Sequence, residues 1–435
     1  MLLKSLDLTN FRCFKEFHID FNDKLTVIVG QNGCGKSTIL EAAAIAVGTF
    51  TAALDDLPNY GIKKEDAHLS YFNMGSNIDV QPQYPVRVTA NGQLDNSDVS
   101  WIRSLDAPSG KGSRGTLALA KEVKNIAEKY QERFRKGDTT LVLPIIAYYG
   151  TGRLWAQHKE KKDDTFAKNT RTNGYIDNLD GAANNKLMLR WFKKMTVQQA
   201  QRHDTIPEYQ AVCKAMSQCF KSITGFENVE IQYNLDTDDI DVIYNDDNGK
   251  WVRIPVSRLS DGYKCTLSLI ADIAYRMALL NPQFFDNVLK ETNGVVLIDE
   301  IDLHLHPEWQ TRILSDLTEI FPRVQFIVST HAPSVINSVK SENLVILEND
   351  KAHVPCGEIY GKDTNTIVSG IMGSKERPKI VIESFEHFYK YLDENDLDSA
   401  EKQISKLEQL IGYDDSEVAS LHTKLKLAKI KRSKK

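Results

Sequence analysis

One stretch restricts this chain more than any other. Gly30-Gln31-Asn32-Gly33-Cys34-Gly35-Lys36-Ser37-Thr38 satisfies the pattern G-x-x-x-x-G-K-[ST]. It follows the apolar run Leu25-Thr26-Val27-Ile28-Val29 and precedes Ile39-Leu40-Glu41-Ala42-Ala43-Ala44, a strong helix former. A strand, a glycine loop and a helix in that order separate a phosphate-binding loop from an ordinary glycine-rich turn. Gly30, Gly33 and Gly35 let the backbone curl around phosphates without Cβ clashes. Asn32, Cys34 and Thr38 belong to the same wrapping loop. Loop amides and the helix N-terminus face one spot and favour an anion there. Lys36 adds a point charge for the outer phosphates, and the Ser37 hydroxyl suits Mg²⁺.

Two later runs carry complementary chemistry. Val295-Val296-Leu297-Ile298 reads as a buried strand ending in Asp299-Glu300. Side chains alternate along a strand, so the two acids are expected on opposite faces, with different tasks. Asp299 suits the Mg²⁺ shell, as the acid of a Walker-B strand does. Glu300 suits polarisation of the attacking water. Surface acids that merely cap a strand would not follow so apolar a run. Phe326-Ile327-Val328 leads into Ser329-Thr330-His331. That strand would deliver His331 near the γ-phosphate, where an imidazole can work.

With Leu259-Ser260-Asp261-Gly262-Tyr263-Lys264, the ordered set resembles the ATP-binding-cassette class of P-loop ATPases. The opening Leu8-Thr9-Asn10-Phe11-Arg12-Cys13-Phe14, followed by Phe17-His18-Ile19-Asp20-Phe21, resembles the heads of RecF, SMC and OLD-type proteins rather than transporters. The resemblance implies an α/β fold: an ABC-type P-loop ATPase head with a helical and β lid insertion and a small C-terminal helical appendage. It implies ATP and Mg²⁺ as cofactors. It makes Leu259–Lys264 the signature loop, whose Ser260 and Gly262 reach the γ-phosphate of ATP held by the opposite subunit. Asp261 stands where a second glycine is usual. A homodimer or higher oligomer through the ATP sites follows, and Arg12 is placed near the nucleotide.

Pro144-Ile145-Ile146-Ala147-Tyr148-Tyr149-Gly150-Thr151-Gly152-Arg153-Leu154-Trp155 narrows the likeness. This segment and the compact length resemble the PtuA family, the ATPases of bacterial Septu anti-phage systems, which also accompany some retrons. That resemblance implies control of a separate HNH nuclease of the PtuB kind, with DNA reached through the complex. The alternative is a RecF-like ATP-gated clamp that loads on DNA itself. OLD-type nucleases carry a Toprim domain after the ATPase. Here Ile380-Val381-Ile382-Glu383-Ser384 echoes its first acid, but no D-x-D follows.

Composition agrees with a globular ATPase. The chain has 435 residues, 41% hydrophobic and 26% charged, enough for a large core. A net charge of −5 argues against a cationic DNA-binding protein. Six scattered cysteines without C-x-x-C, one inside the phosphate loop, point to a reducing cytoplasm and no zinc site. The N-terminus enters a strand pattern without a signal-peptide profile. No apolar run approaches the roughly 20 residues of a membrane span.

The expected organisation is a head at 1–50 and 141–373, a lid insertion at 51–140, and a helical docking region with a basic end at 374–435. Thr116–Lys136, Asn184–His203 and Pro207–Ile223 read as helices. Val229–Tyr233 and Asp239–Tyr244 read as a hairpin. Residues 156–173 are charged and read as an exposed stretch. The interval between Lys36 and Asp299 shows no sustained heptads, so no long coiled coil is expected. Leu397, Ala400, Ile404, Leu407 and Leu410 recur at helical spacing. Short helices bury little by themselves, so the face with Leu397, Ile404 and Leu407 is expected to dock on the head or a partner. His304-Leu305-His306-Pro307 reads as the loop after the acids rather than a metal site, and the tryptophans read as core.

Overall fold

The computed structural model describes all residues except 56, 76, 109–116, 154–169, 182–184, 247, 371–376 and 434–435. Antiparallel strands β1 (Leu2–Phe11) and β2 (Phe14–Asp20) precede β3 (Leu25–Gly30), the glycine loop and helix α1 (Lys36–Thr51). A hairpin of β4 (Leu69–Met74) and β5 (Asn77–Pro82) leads to β6 (Val86–Leu94), β7 (Ser97–Leu105), α2 (Lys121–Arg135) and β8 (Ile145–Tyr149). Helices α3 (Asn185–Arg202) and α4 (Pro207–Thr224) are followed by the meander β9 (Glu230–Asn234), β10 (Asp239–Asn245) and β11 (Trp251–Pro255). The long helix α5 (Asp261–Leu280) and the short α6 (Val288–Glu291) come next. Strand β12 (Gly294–Ile298), helices α7 (Pro307–Gln310) and α8 (Ile313–Ile320), and strand β13 (Val324–Ser329) complete the catalytic-side framework. Then come α9 (Pro333–Ile336), β14 (Leu344–Glu348), β15 (Lys351–His353) and α10 (Thr364–Gly370).

The central sheet has the order β15-β14-β3-β13-β12-β8, parallel except at the β15 edge. Its inner strands read as continuous apolar runs because both faces are covered: every residue of β3, β8, β12 and β13 is buried. Register does the rest. Ile298 lies opposite both Tyr149 and Val328, and Ser329 opposite Ile28. The ends of strands far apart in sequence therefore share one edge, and the crevice beyond the carboxyl ends of such strands is where ligands bind.

A second sheet, β2-β1-β6-β7, is antiparallel. Helix α1 packs against both sheets, which explains why it is apolar all round. The indole Nε1 of Trp101 on β7 donates to the Ala46 carbonyl of α1 at 2.9 Å. The expected lid at 51–140 thus divides. Strand β6 pairs with β1, with Leu6 opposite Ala90, and β7 pairs with β6, so residues 86–105 belong to the head. Only β4–β5 forms a sheet of its own, with Tyr71, Met74 and Ile78 more than half exposed. The alternation of β6 does not by itself say which strand it pairs with.

The other expectations fared unevenly. The helix expected at 116–136 is a 3₁₀ turn followed by α2, and α3 and α4 lie where expected. Strand β11 extends the expected hairpin to three strands. Trp101 and Trp191 are buried, but Trp251 on β11 is 55% exposed, against the core reading. Trp155 lies outside the described residues, as does most of the stretch 156–173. Among the described residues, no helix is long and apolar enough to cross a membrane.

The contacts divide the chain into two units, Met1–Thr364 and Asn365–Lys435. The second is built from α11 (Lys379–Asp393), α12 (Leu397–Ile411) and α13 (Ser416–Ser433). The Asp396 side chain caps α12 by accepting from the Ser399 amide. Here the docking expectation needs correction. Leu397, Ile404 and Leu407 are buried in a core with Val381, Phe388 and Leu421 of the neighbouring helices. The tail covers its own apolar stripe, because three amphipathic helices can turn their faces inward together. In the basic end, Lys429 pairs with Glu401 at 2.7 Å and Lys424 lies over the Tyr389 ring. Phe388→Ala should destabilise this unit by about 3–5 kcal/mol. Faster hydrogen exchange in α11–α13 with unchanged nucleotide affinity is the expected result. Weakened nucleotide binding would contradict an independent core.

Candidate nucleotide-binding site

A cleft of about 480 Å³ opens at the carboxyl edge of the central sheet. Arg12, Asn32, Gly33, Gly35, Lys36, Ser37, Thr38, Asp299, Glu300 and His331 all line it, and so does Cys13, which the sequence did not single out. Gly30 and Cys34 are not among the lining residues. Lys36 Nζ donates to the carbonyls of Gly30 at 2.8 Å and Gln31 at 2.9 Å, and lies 3.7 Å from Cys34 Sγ. Burial lowers the Lys36 pKa, although the charges of Asp299 and Glu300 oppose this. A partly desolvated ammonium held by neutral carbonyls gains strongly from an incoming polyanion.

Gly35 has φ +96°, and a Cβ there would sit 2.4 Å from the Phe14 ring. Only glycine lets α1 start this close to β2. Arg12 is fixed rather than free. Its Nε donates to Asp66 at 2.8 Å and its Nη2 bonds Glu41 of α1.

The acidic side of the cleft departs from the expected alternation. The pleat stops at Ile298, and Glu300 adopts φ +47°. Asp299 and Glu300 therefore line the same cleft instead of opposite faces. They remain distinct in environment. Asp299 is buried and its Oδ1 accepts from Ser329 Oγ at 2.5 Å. The same Ser329 oxygen accepts the Glu300 amide at 2.8 Å. Glu300 is less buried, and its pKa is raised by burial and by the charges of Asp299 and Asp302. A carboxylate with raised proton affinity is a better base. Burial, then the charge of Lys36, lowers the His331 pKa, which favours the neutral imidazole. The Ser37 hydroxyl and the Asp299 carboxylate are the hard-oxygen donors that suit Mg²⁺, so the residues present fit that ion.

Ser260 and Gly262 do not reach this cleft. They begin α5, with Ser260 exposed and making no side-chain cap. A Cβ on Gly262 would lie 2.6 Å from the His304 carbonyl, so α5 packs directly on the loop after the acids. His306 caps α7 by accepting from the Glu308 amide at 3.4 Å. Sequence reasoning also missed Arg153, which bonds the carbonyls of both acids. Its only signal was its place at the end of Tyr149-Gly150-Thr151-Gly152.

Comparison with known proteins identifies the family. The AAA domain family matches residues 5–224, just over half of the chain. A second AAA domain family, described as putative AbiEii toxin of a type IV TA system, matches 154–337. The Retron Vc95 probable ATPase of Vibrio cholerae serotype O1 biovar El Tor is 28% identical over 427 residues, covering 87% of this chain and 80% of that protein. Septu protein PtuA of Bacillus thuringiensis is 24% identical over 429 residues, covering 94% of each. The SMC head domain from Thermotoga maritima is 18% identical with a TM-score of 0.42, covering 82% of this chain and all of that one. The chain belongs to the AAA domain family and is a P-loop ATPase.

Proposed function

We propose that this ATPase is the nucleotide-sensing subunit of an anti-phage defence complex and controls a separate HNH nuclease. Lys36, Ser37 and the loop amides would hold ATP, and the Ser37 hydroxyl and Asp299 carboxylate would hold Mg²⁺, which would neutralise charge on the phosphates. Glu300 takes the proton of the attacking water, and neutral His331 contacts the γ-phosphate. Ser260 and Gly262 of a second copy close the site in a head-to-head dimer. The observation that carries the defence reading is the similarity to Septu protein PtuA along nearly the whole of both chains. The shared-site reading rests on Ser260, which is exposed at an uncapped helix start and absent from its own chain's cleft. A helix start of this kind presents free amides to an anion.

The test is a mass measurement with and without ATP, alone and beside the protein encoded by the neighbouring gene. The 49.2 kDa chain should dimerise or assemble further with ATP and should retain an HNH nuclease. An ATP-dependent complex with duplex DNA, and no retained nuclease, would replace this reading with a RecF-like clamp.

A further inference from the structure

Arg153 lies just beyond β8 and is 4% exposed. Its Nη1 donates to the carbonyls of Asp299 at 2.6 Å and Gly150 at 3.2 Å. Its Nη2 donates to the Glu300 carbonyl at 2.7 Å. Among the described residues, its hydrogen-bond partners are carbonyl oxygens. Burying a cation whose hydrogen bonds go to neutral groups is costly, so its position needs a reason. The two shorter bonds supply one, since both fall on the acids that line the cleft.

Glu300 has φ +47°, a region that residues with a Cβ seldom adopt. Such a conformation persists only where the surroundings over-determine it. Here the Glu300 amide is held by Ser329 Oγ, and its carbonyl by Arg153 and the Leu303 amide. The base of the clamp is fixed as well. The Tyr149 hydroxyl donates to Asp272 of α5 at 2.7 Å, and the Gly150 amide donates to the Gly181 carbonyl at 2.8 Å.

From this geometry we infer that Arg153 is a positioning residue for hydrolysis: its forked guanidinium holds the Asp299–Glu300 turn in the strained conformation that directs Glu300 into the nucleotide cleft. Arg153 is not among the cleft's lining residues, so its effect falls on the rate and not on nucleotide binding. The inference rests on the reading of Glu300 as the base. A plain strand-end cap would instead affect stability and leave turnover per folded molecule intact.

The experiment measures kcat, KM and nucleotide affinity in the full chain for Arg153→Met, Arg153→Lys, Glu300→Gln and the double variant Arg153→Met/Glu300→Gln. Arg153→Met should lower kcat about 100-fold, the scale set by misplacing a reacting group by about 1 Å. Its KM and affinity should stay within about threefold of native, the pattern of an interaction that matters in the transition state. Arg153→Lys should lose only about tenfold, because a point donor cannot fork across two carbonyls. The double variant should be no slower than Glu300→Gln, since aiming an absent carboxylate gains nothing. Unchanged kcat in Arg153→Met, weakened binding with native kcat, or losses that multiply in the double variant would each overturn the inference. If Glu300→Gln is as fast as native, the base assignment fails separately. The kcat of Arg153→Met then decides by itself whether the clamp matters. If the methionine variant does not fold, Arg153→Lys carries the same cycle.

Discussion

Glu300→Gln should bind ATP at close to native affinity and hydrolyse it about 10²–10⁴-fold more slowly, the contribution of a positioned general base. The amide is nearly isosteric, and the contacts that place this residue are made by its backbone, through Ser329, Arg153 and Leu303. The turn therefore survives the change while the proton acceptor is lost. Phosphate release and equilibrium nucleotide binding, measured on the same preparation, separate the two effects. Lys36→Ala should behave oppositely and lose affinity, because its ammonium is the cation buried in the loop. A Glu300→Gln enzyme that turns over at the native rate would remove Glu300 as the base.

The second large effect is a restoration. Lys36→Ala and Ser260→Arg chains should each be nearly inactive alone. In a two-fold dimer of one of each, one composite site takes Lys36 and Ser260 from the intact halves. The other site takes both defects. Random mixing makes half the dimers mixed, and each has one working site, so about one quarter of native activity should return. Ser260 is exposed at the start of α5 and outside its own cleft, so the arginine should spare the fold. Mixed dimers, verified by differential tagging, that stay inactive would argue against a site built across two chains.

The sequence alone determined the local chemistry. Glycines at 30, 33 and 35, then Lys36 and Ser37, can serve little else between an apolar strand and a helix. The runs before Asp299 and His331 announced strands buried on both faces, because a residue covered from either side must be apolar. The helical spacing of Leu397, Ala400, Ile404 and Leu407 marked α12 in the same way. These features depend on neighbours within a few residues.

Tertiary structure decided which surface covers which. Residues 86–94 alternate like a strand wherever they sit, and only pairing with β1 makes them and their partner β7 part of the head. Leu397, Ile404 and Leu407 carry the same stripe whether it meets a partner or Phe388, and the fold chose Phe388. Alternation placed Asp299 and Glu300 apart, whereas the left-handed turn at Glu300 brought both into one cleft. That turn depends on Arg153 and Ser329, residues distant in the chain that act on main-chain atoms. Local periodicity reports that a side chain will be buried. The partner that buries it, and the backbone conformation a distant side chain imposes, are set by long-range packing that a one-dimensional pattern does not encode.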